Sequence, residues 1–156
     1  MIKITIPGFR DLKLTHLLLD YNGTLAIEGI LIPGVGDALK ELSSTLKIHV
    51  LTGDTFGTAK AQLKGLPIKL TIAPNAAQAE SKVNFITDLG VKNTVAIGNG
   101  RNDRKMLKAA VVGIVLIQKE GASAKSVANA DIVCTSILDA LGMLKNPKFL
   151  NATLRS

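Results

Sequence analysis

Polar side chains directly follow three apolar runs of this 156-residue sequence. Asp20 comes after three leucines, Thr52 begins a Thr-Gly-Asp sequence after a second apolar run, and residues 98–103, Gly-Asn-Gly-Arg-Asn-Asp, follow a third. Polar side chains of this kind are unfavourable in the interior of a buried strand. Carboxylates, a hydroxyl group and amides gathered at one place can, however, transfer a phosphoryl group.

The chemistry that these residues could share is nucleophilic attack on phosphorus. An ionised Asp20 can attack if other groups hold the phosphate and offset its charge. Lys82 supplies a positive charge, and the Thr52 hydroxyl group and the Gly53 N–H group can donate hydrogen bonds to phosphate oxygens. Mg²⁺ commonly binds one or two carboxylates together with water and phosphate. Asp20 and Asp103 meet that requirement.

Each of these residues, taken alone, also has a purely structural explanation. Asp20 can stabilise a turn, Asp103 can cap the helix that follows it, and Lys82 can be a solvated side chain. Asp54 has two interpretations. It caps the helix predicted from residue 56, or it orients the residues that bind the metal without binding the metal itself. The common order, with polar groups after each of three strands, favours a shared site.

The elements that must position these residues alternate between strand and helix. Strands are predicted over residues 2–6, 13–19, 47–51, 68–72, 94–97, 112–117 and 132–134, and helices over residues 35–46, 56–63, 76–89, 103–110, 122–128 and 137–144. We expect one three-layer, doubly wound α/β domain over residues 1–156, with a mostly parallel sheet, a short N-terminal hairpin and a small flap at residues 26–32. The three polar strand ends then share the carboxyl edge of the sheet, where ligands bind.

Composition limits the partners of the protein. The net charge of +7 comes with scattered lysines, and four Phe, one Tyr and no Trp offer little for a nucleobase to stack on, which argues against nucleic acid. No apolar run approaches the ~20 residues of a membrane-spanning helix, and the N-terminus lacks a signal-peptide pattern. We therefore expect a cytoplasmic protein without membrane contact. His16 and His49 lie in separate strand-like runs, which argues against metal binding by histidine.

Four segments resemble the motifs of the haloacid dehalogenase (HAD) superfamily. Residues 20–24, Asp-Tyr-Asn-Gly-Thr, are similar to its first motif, residues 51–54 to the second, Lys82 to the third and residues 98–103 to the fourth. The second and fourth look most like those of the phosphorylation domain of P-type ATPases. The resemblance implies a Mg²⁺-dependent phosphohydrolase or phosphotransferase that forms an aspartyl-phosphate on Asp20 and acts on a small phosphorylated substrate.

The spacing of the motifs leaves no room for an inserted cap or nucleotide-binding domain. Only 31 residues separate Asp20 from Thr52, and 29 separate Thr52 from Lys82. We therefore expect a stand-alone, capless domain and not a complete P-type pump. Relatives of this kind often cover the open site by oligomerisation or act on large substrates, so a homo-oligomer is one of two arrangements that the resemblance suggests.

Two asparagines stand where the superfamily usually has aspartate. Asn22 occupies the position of the general acid and base, and it can do neither task, although its backbone carbonyl can still bind Mg²⁺. General acid–base catalysis typically contributes about 10²- to 10⁴-fold. The site should therefore favour acyl phosphates, aryl phosphates and phosphoanhydrides, and its phosphoenzyme should hydrolyse slowly. Asn99 replaces one metal-directed carboxylate, which leaves Asp103 with the neutral oxygens of Asn99 and Asn102 to hold the ion more weakly.

Two other functions compete with this one. The loss of two carboxylates is compatible with a catalytically weak or inactive module that binds phosphate or a protein partner. Retention of Asp20, Thr52, Lys82 and Asp103 favours the enzyme, because a site without turnover does not need all four. Dehalogenation uses the same type of nucleophile but needs no Mg²⁺, so Asp103 argues against it.

Overall fold

The computed structural model describes all residues from Met1 to Ser156. In chain order, the strands and helices are β1 (Ile2–Ile6), β2 (Arg10–Leu14), β3 (His16–Leu19), β4 (Ala26–Ile27), β5 (Ile30–Leu31), α1 (Val35–Leu42), β6 (Lys47–Thr52), α2 (Ala59–Gln62), β7 (Lys69–Ile72), α3 (Gln78–Leu89), β8 (Thr94–Gly98), α4 (Arg104–Ala109), β9 (Val112–Leu116), α5 (Ala124–Asn129), β10 (Ile132–Cys134), α6 (Ile137–Lys145) and α7 (Lys148–Leu154). Short 3₁₀ turns at Val91–Asn93 and Arg101–Asp103 precede β8 and α4. None of the helices combines the length and the apolar composition needed to span a bilayer.

Six parallel strands form the central sheet, in the order β10-β9-β8-β3-β6-β7. Successive side chains point to opposite faces, so Leu17 and Leu19 of β3 belong to one apolar core and Leu18 to another. Helices α1, α2, α6 and α7 cover the first face, and α3, α4 and α5 cover the second. This arrangement confirms the predicted three-layer, doubly wound fold. Burial on both faces explains why the strands are almost continuously apolar.

The register of the sheet brings the predicted site together. Strand β3 lies between β6 and β8, with Leu19 opposite both Val50 and Ile97. The residues that follow these three strands therefore emerge side by side at the carboxyl edge. Asp20 is at the centre of that edge.

Two parts of the chain differ from the predicted elements. The expected strand over residues 13–19 is two strands, because the chain leaves the antiparallel β1–β2 hairpin at Leu14 and enters the central sheet at His16. Helix α7 was not predicted, since Pro147 interrupts the helical pattern after α6. Leu150, which is fully buried, anchors this last helix to the larger core.

The small flap lies where the sequence predicted it, as the β4–β5 hairpin. Glu28 and Gly29 at its tip both have positive φ, 51° and 78°, which is the geometry of the tight turns that favour glycine in two-residue hairpins. The Gly29 carbonyl oxygen accepts hydrogen bonds from the Tyr21 hydroxyl group at 2.9 Å and the Thr58 hydroxyl group at 2.6 Å. Only this hairpin and α1 lie between β3 and β6, so the domain has no cap.

The two histidines are neighbours, contrary to what their separation in sequence suggested. Because β3 and β6 pair in parallel, Nδ1 of His16 lies 3.1 Å from Nε2 of His49. Burial lowers the pKa of His16, and Lys47 lowers it further. Burial also lowers the pKa of His49, with added contributions from His16, Lys69 and Lys47.

We expect this pair to make the fold less stable in mild acid. A histidine with a lower pKa in the folded chain takes up a proton on unfolding, so its stabilisation is present above about pH 6.5 and is lost as the pH falls from there toward the lowered pKa. Urea denaturation of wild type and His49→Gln between about pH 7.5 and pH 5 measures this effect. The free energy of unfolding should fall less steeply in the variant, and parallel curves would contradict the prediction.

Candidate active site

A buried lysine joins two carboxylates at the carboxyl edge of the sheet. Asp20 directly follows β3, Lys82 lies in the second turn of α3, and Asp103 ends the 3₁₀ turn after β8. The Lys82 ammonium group donates to Oδ1 of Asp20 at 2.8 Å and to Oδ1 of Asp103 at 2.5 Å. Lys82 and Asp103 are 1% and 0% exposed, whereas 10% of the Asp20 side chain remains accessible. Three charged residues predicted from separate motifs therefore meet in the fold.

The charges in this cluster do not balance. Burial raises the pKa of Asp20 to about 6 and the Asp103 carboxylate adds to the rise, against the opposing effects of Lys82 and a hydrogen bond from the Tyr21 backbone. For Lys82, burial alone lowers the pKa, but the two carboxylates outweigh it and raise the pKa above its usual value. The lysine therefore stays charged, and the uncompensated negative charge falls on the accessible carboxylate of Asp20.

Asp103 is fully engaged on the inner side of Lys82. Its Oδ2 accepts hydrogen bonds from the backbone N–H groups of Asn99 at 3.0 Å and Gly100 at 2.9 Å. Gly98 must lack a side chain here, because a Cβ would lie 2.5 Å from Cγ of Asp103. The carboxylate does not line the cavity beside Asp20. These contacts show that Asp103 holds Lys82 and the loop after β8; its role as a metal ligand stays a prediction.

The cavity beside Asp20 is small and entirely polar. Its volume is about 150 Å³, and its lining contains no apolar side chain; the lining residues are Asp20, Asn22, Thr52, Gly53, Thr55, Gln78, Asn99, Gly100, Asn102 and Glu120. A larger cavity of about 420 Å³ lies between the N-terminus, α1 and α6. It is remote from the polar strand ends and shares none of these residues, so the small cavity is the candidate site.

Two hydrogen-bond donors at the end of β6 are available to an anion in the cavity. The Thr52 Oγ1 atom accepts from the backbone N–H of Asp54 at 3.0 Å, so its own hydroxyl hydrogen remains free to donate. The Gly53 N–H group has no partner within the protein. A Cβ at this position would lie 3.0 Å from Oδ1 of Asn75 and closer still to the Gln78 amide, so a larger residue would displace these two side chains. These positions suit the predicted phosphate-binding role.

Asp54 acts at the start of a helix. Its Oδ1 accepts hydrogen bonds from the backbone N–H groups of Thr58 and Ala59, each at 3.0 Å. Helix α2 accordingly begins at Ala59, three residues after the predicted start at residue 56. The contacts support the capping interpretation.

The oxygen atoms around the cavity suit a hard cation. Besides the Asp20 carboxylate, Oδ1 of Asn22 is buried without a hydrogen-bond partner, and Oδ1 of Asn99 has only the Thr24 hydroxyl group, at 3.4 Å. No group of three or more His, Cys, Asp or Glu side chains is present. Mg²⁺ accepts one or two carboxylates with neutral oxygens and water, and the residues present fit it.

Three residues of the cavity, Thr55, Gln78 and Glu120, were missed by the sequence analysis. Gln78, at the start of α3, accepts a hydrogen bond from the Asn102 amide at 2.5 Å through its Oε1 atom. Glu120 lies in the loop after β9. The polar sequence from Gln118 to Glu120 also follows an apolar strand, so the rule that selected the other strand ends would have found it.

Comparison with known proteins agrees with the motifs. No protein-family profile matches the chain. An uncharacterized protein of Methanocaldococcus jannaschii is 48% identical over 64 residues, which are 41% of this chain and 69% of that protein. A copper-exporting P-type ATPase of Staphylococcus haemolyticus is 33% identical over 109 residues, 65% of this chain but only 14% of the ATPase.

The fold recurs in solved structures. The cobalt-bound deoxy-D-mannose-octulosonate 8-phosphate phosphatase of Haemophilus influenzae superposes with a TM-score of 0.72 at 15% identity, covering 92% of this chain and 94% of the phosphatase. The catalytic domain of the CPx-ATPase CopB-B superposes with a TM-score of 0.58 at 30% identity, covering 74% and 46% of the two chains. The chain thus has the α/β fold shared by these phosphatases and ATPase domains. The chain therefore resembles HAD superfamily hydrolases in fold, as a capless domain similar in sequence to the catalytic domain of P-type ATPases.

Proposed function

We propose that the protein is a Mg²⁺-dependent phosphohydrolase or phosphotransferase that forms an aspartyl-phosphate on Asp20. The observation that carries this proposal is the Lys82 ammonium group bridging Asp20 and Asp103 beneath an entirely polar cavity. A buried lysine would not be needed to hold a structural aspartate at a turn. It is needed where a carboxylate must stay ionised beside an incoming anion.

Each of these residues has a separate role in phosphoryl transfer. Asp20 attacks phosphorus, and Lys82 offsets the negative charge that accumulates there. The Thr52 hydroxyl group and the Gly53 N–H group donate to phosphate oxygens. The Asp20 carboxylate and the oxygen atoms of Asn22 and Asn99 would hold Mg²⁺, with Asp103 as the further predicted ligand. When bound, the ion neutralises charge on the transferring phosphoryl group.

Asn22 narrows the substrates that this site can use. An amide cannot protonate a leaving alkoxide, so the reaction must rely on leaving groups that depart as stable anions. Acyl phosphates, aryl phosphates and phosphoanhydrides meet this condition, whereas simple sugar or alcohol phosphates do not. The cavity of about 150 Å³ has space for the phosphoryl group itself, which suits a small phosphorylated substrate whose remainder lies outside. A cytoplasmic location and an oligomer that covers the open cavity stay predictions.

The competing function is a phosphate-binding module without turnover. Two features favour it: Asn22 and Asn99 are both neutral, and no cluster of three acidic or other metal-ligating side chains surrounds the cavity. Such a module would bind phosphate without forming a covalent bond to Asp20. Covalent labelling therefore separates the two functions.

Incubation with Mg²⁺ and ³²P-labelled acetyl phosphate, followed by acid quenching, tests the proposal. We expect label on the protein that hydroxylamine removes, that maps to the peptide containing Asp20, and that is absent when EDTA is present. Phosphate release should accompany it. Phosphate binding by calorimetry without label or release would instead establish the binding module.

A further inference from the structure

A second carboxylate reaches the same cavity from the opposite loop. Glu120 lines the cavity together with Asp20 and Asn22. Its Oε2 atom lies 2.5 Å from the point that a Cβ on Gly23 would occupy, so a side chain there would displace the Glu120 carboxylate, and the φ of 78° at Gly23 also favours glycine. The Glu120 side chain makes no hydrogen bond and no ion pair within the protein. No group in the fold therefore neutralises its negative charge.

The loop that carries Glu120 is fixed to the turn that carries the nucleophile. The Gln118 amide donates to the backbone carbonyls of Gly23 at 3.1 Å and Thr24 at 3.0 Å, and its Oε1 accepts from the Ile137 backbone N–H at 2.8 Å.

On the far side of Glu120, the Asn99 amide donates to the Gly121 carbonyl at 3.1 Å. Hydrogen bonds on both sides thus hold the backbone of this loop beside the turn, and they leave the Glu120 carboxylate unpaired.

We propose that Glu120 is the general base that activates water for hydrolysis of the aspartyl-phosphate. This inference rests on the proposed function. Water oxygen forms a bond to phosphorus, the bond between phosphorus and the Asp20 oxygen breaks, and its electrons restore the Asp20 carboxylate. Glu120 takes the proton of the attacking water and passes it to solvent. Inorganic phosphate then leaves.

The exposed position of Glu120 assigns it to this step and not to the preceding one. An unpaired carboxylate can accept a proton from water, whereas a leaving alkoxide needs a group that carries a proton. The first step therefore still requires a good leaving group, because Asn22 supplies no acid. The second step regains part of the catalysis that Asn22 cannot provide.

Pre-steady-state kinetics of Glu120→Gln with p-nitrophenyl phosphate and Mg²⁺ test this role. We expect the burst of p-nitrophenolate, which reports phosphorylation of Asp20, to keep its rate, while steady-state turnover falls about 10²-fold and labelled phosphoenzyme accumulates. In Glu120→Ala, added formate should restore part of the turnover, which a residue with a merely structural role would not show. Glu28→Gln, which alters an exposed glutamate outside the cavity, is the matched control and should behave as wild type.

The possible outcomes separate the two proposals. Equal dephosphorylation rates in wild type and Glu120→Gln would overturn the role of Glu120 and leave the phosphohydrolase intact. A weaker response to Mg²⁺ with unchanged dephosphorylation would also overturn it, because Glu120 would then be a metal ligand. Absence of a burst and of phosphoenzyme in wild type would overturn the proposed function, and the role of Glu120 with it.

Discussion

Replacing Asp20 with asparagine is expected to abolish phosphate release and, at the same time, to stabilise the metal-free protein. Turnover should fall by at least about 10⁴-fold, since an amide cannot form the covalent intermediate. Stability should rise because the cluster of two carboxylates and one lysine carries an excess negative charge in a buried setting. In Asp20→Asn, Lys82 and Asp103 remain as a balanced pair.

The size and the pH range of this stabilisation follow from the pKa of Asp20. A carboxyl pKa raised from 3.8 to about 6 corresponds to about 3 kcal/mol against the folded state. The folded chain holds this proton more tightly than the unfolded chain, so the cost is fully present above about pH 6 and disappears as the pH falls toward 3.8. We expect Asp20→Asn to gain roughly 1–3 kcal/mol at neutral pH, and little in acid.

Urea denaturation in EDTA, with phosphate release measured on the same preparations, checks both effects. Asp88→Asn is the matched control, since Asp88 is exposed on α3 and makes no ion pair. The control should change neither activity nor stability. Loss of activity together with a loss of stability in Asp20→Asn would mean that Asp20 mainly holds the fold, and would contradict its role as a nucleophile held at a cost to stability.

Most of the fold could be predicted because strand burial and helix periodicity are local features of the sequence. Strand β9, for example, is buried at every position and was predicted from its apolar run alone. Element ends were less predictable because they depend on tertiary contacts. Helix α7 is held by Leu150 against a core assembled from distant strands, and no local pattern reveals that contact.

In the site, too, the sequence predicts which residues take part, but their roles depend on tertiary contacts. The motif residues could be named because each follows a strand, and the parallel sheet brings them to one edge. Their individual tasks depend on side-chain direction, which the sequence does not contain. Asp103 turns inward to Lys82 and the backbone of Asn99, whereas Glu120 reaches the cavity across Gly23. Strand register likewise decides that two histidines 33 residues apart touch.

Introducing the missing carboxylate, in Asn22→Asp, is expected to widen the range of substrates. The new side chain would lie in the polar cavity two residues from Asp20, where a second negative charge raises the pKa of both carboxyl groups and favours a protonated acid. Turnover of alkyl phosphates should rise by about 10²-fold or more relative to aryl phosphates, because only the alkoxide needs the proton. Steady-state rates across a series of leaving groups measure the ratio.

The control for Asn22→Asp must add the same charge without the same position. Asn102→Asp does so, since Asn102 also lines the cavity but lies next to Lys82, at 3.4 Å from its ammonium group. If the ratio of alkyl to aryl turnover rises in Asn22→Asp and not in Asn102→Asp, a placed proton donor causes the change. In the Asn22→Asp background, Glu120→Gln should no longer prolong the phosphoenzyme, because Asp at position 22 can also activate water. An unchanged ratio in Asn22→Asp would show that leaving-group protonation does not limit this site.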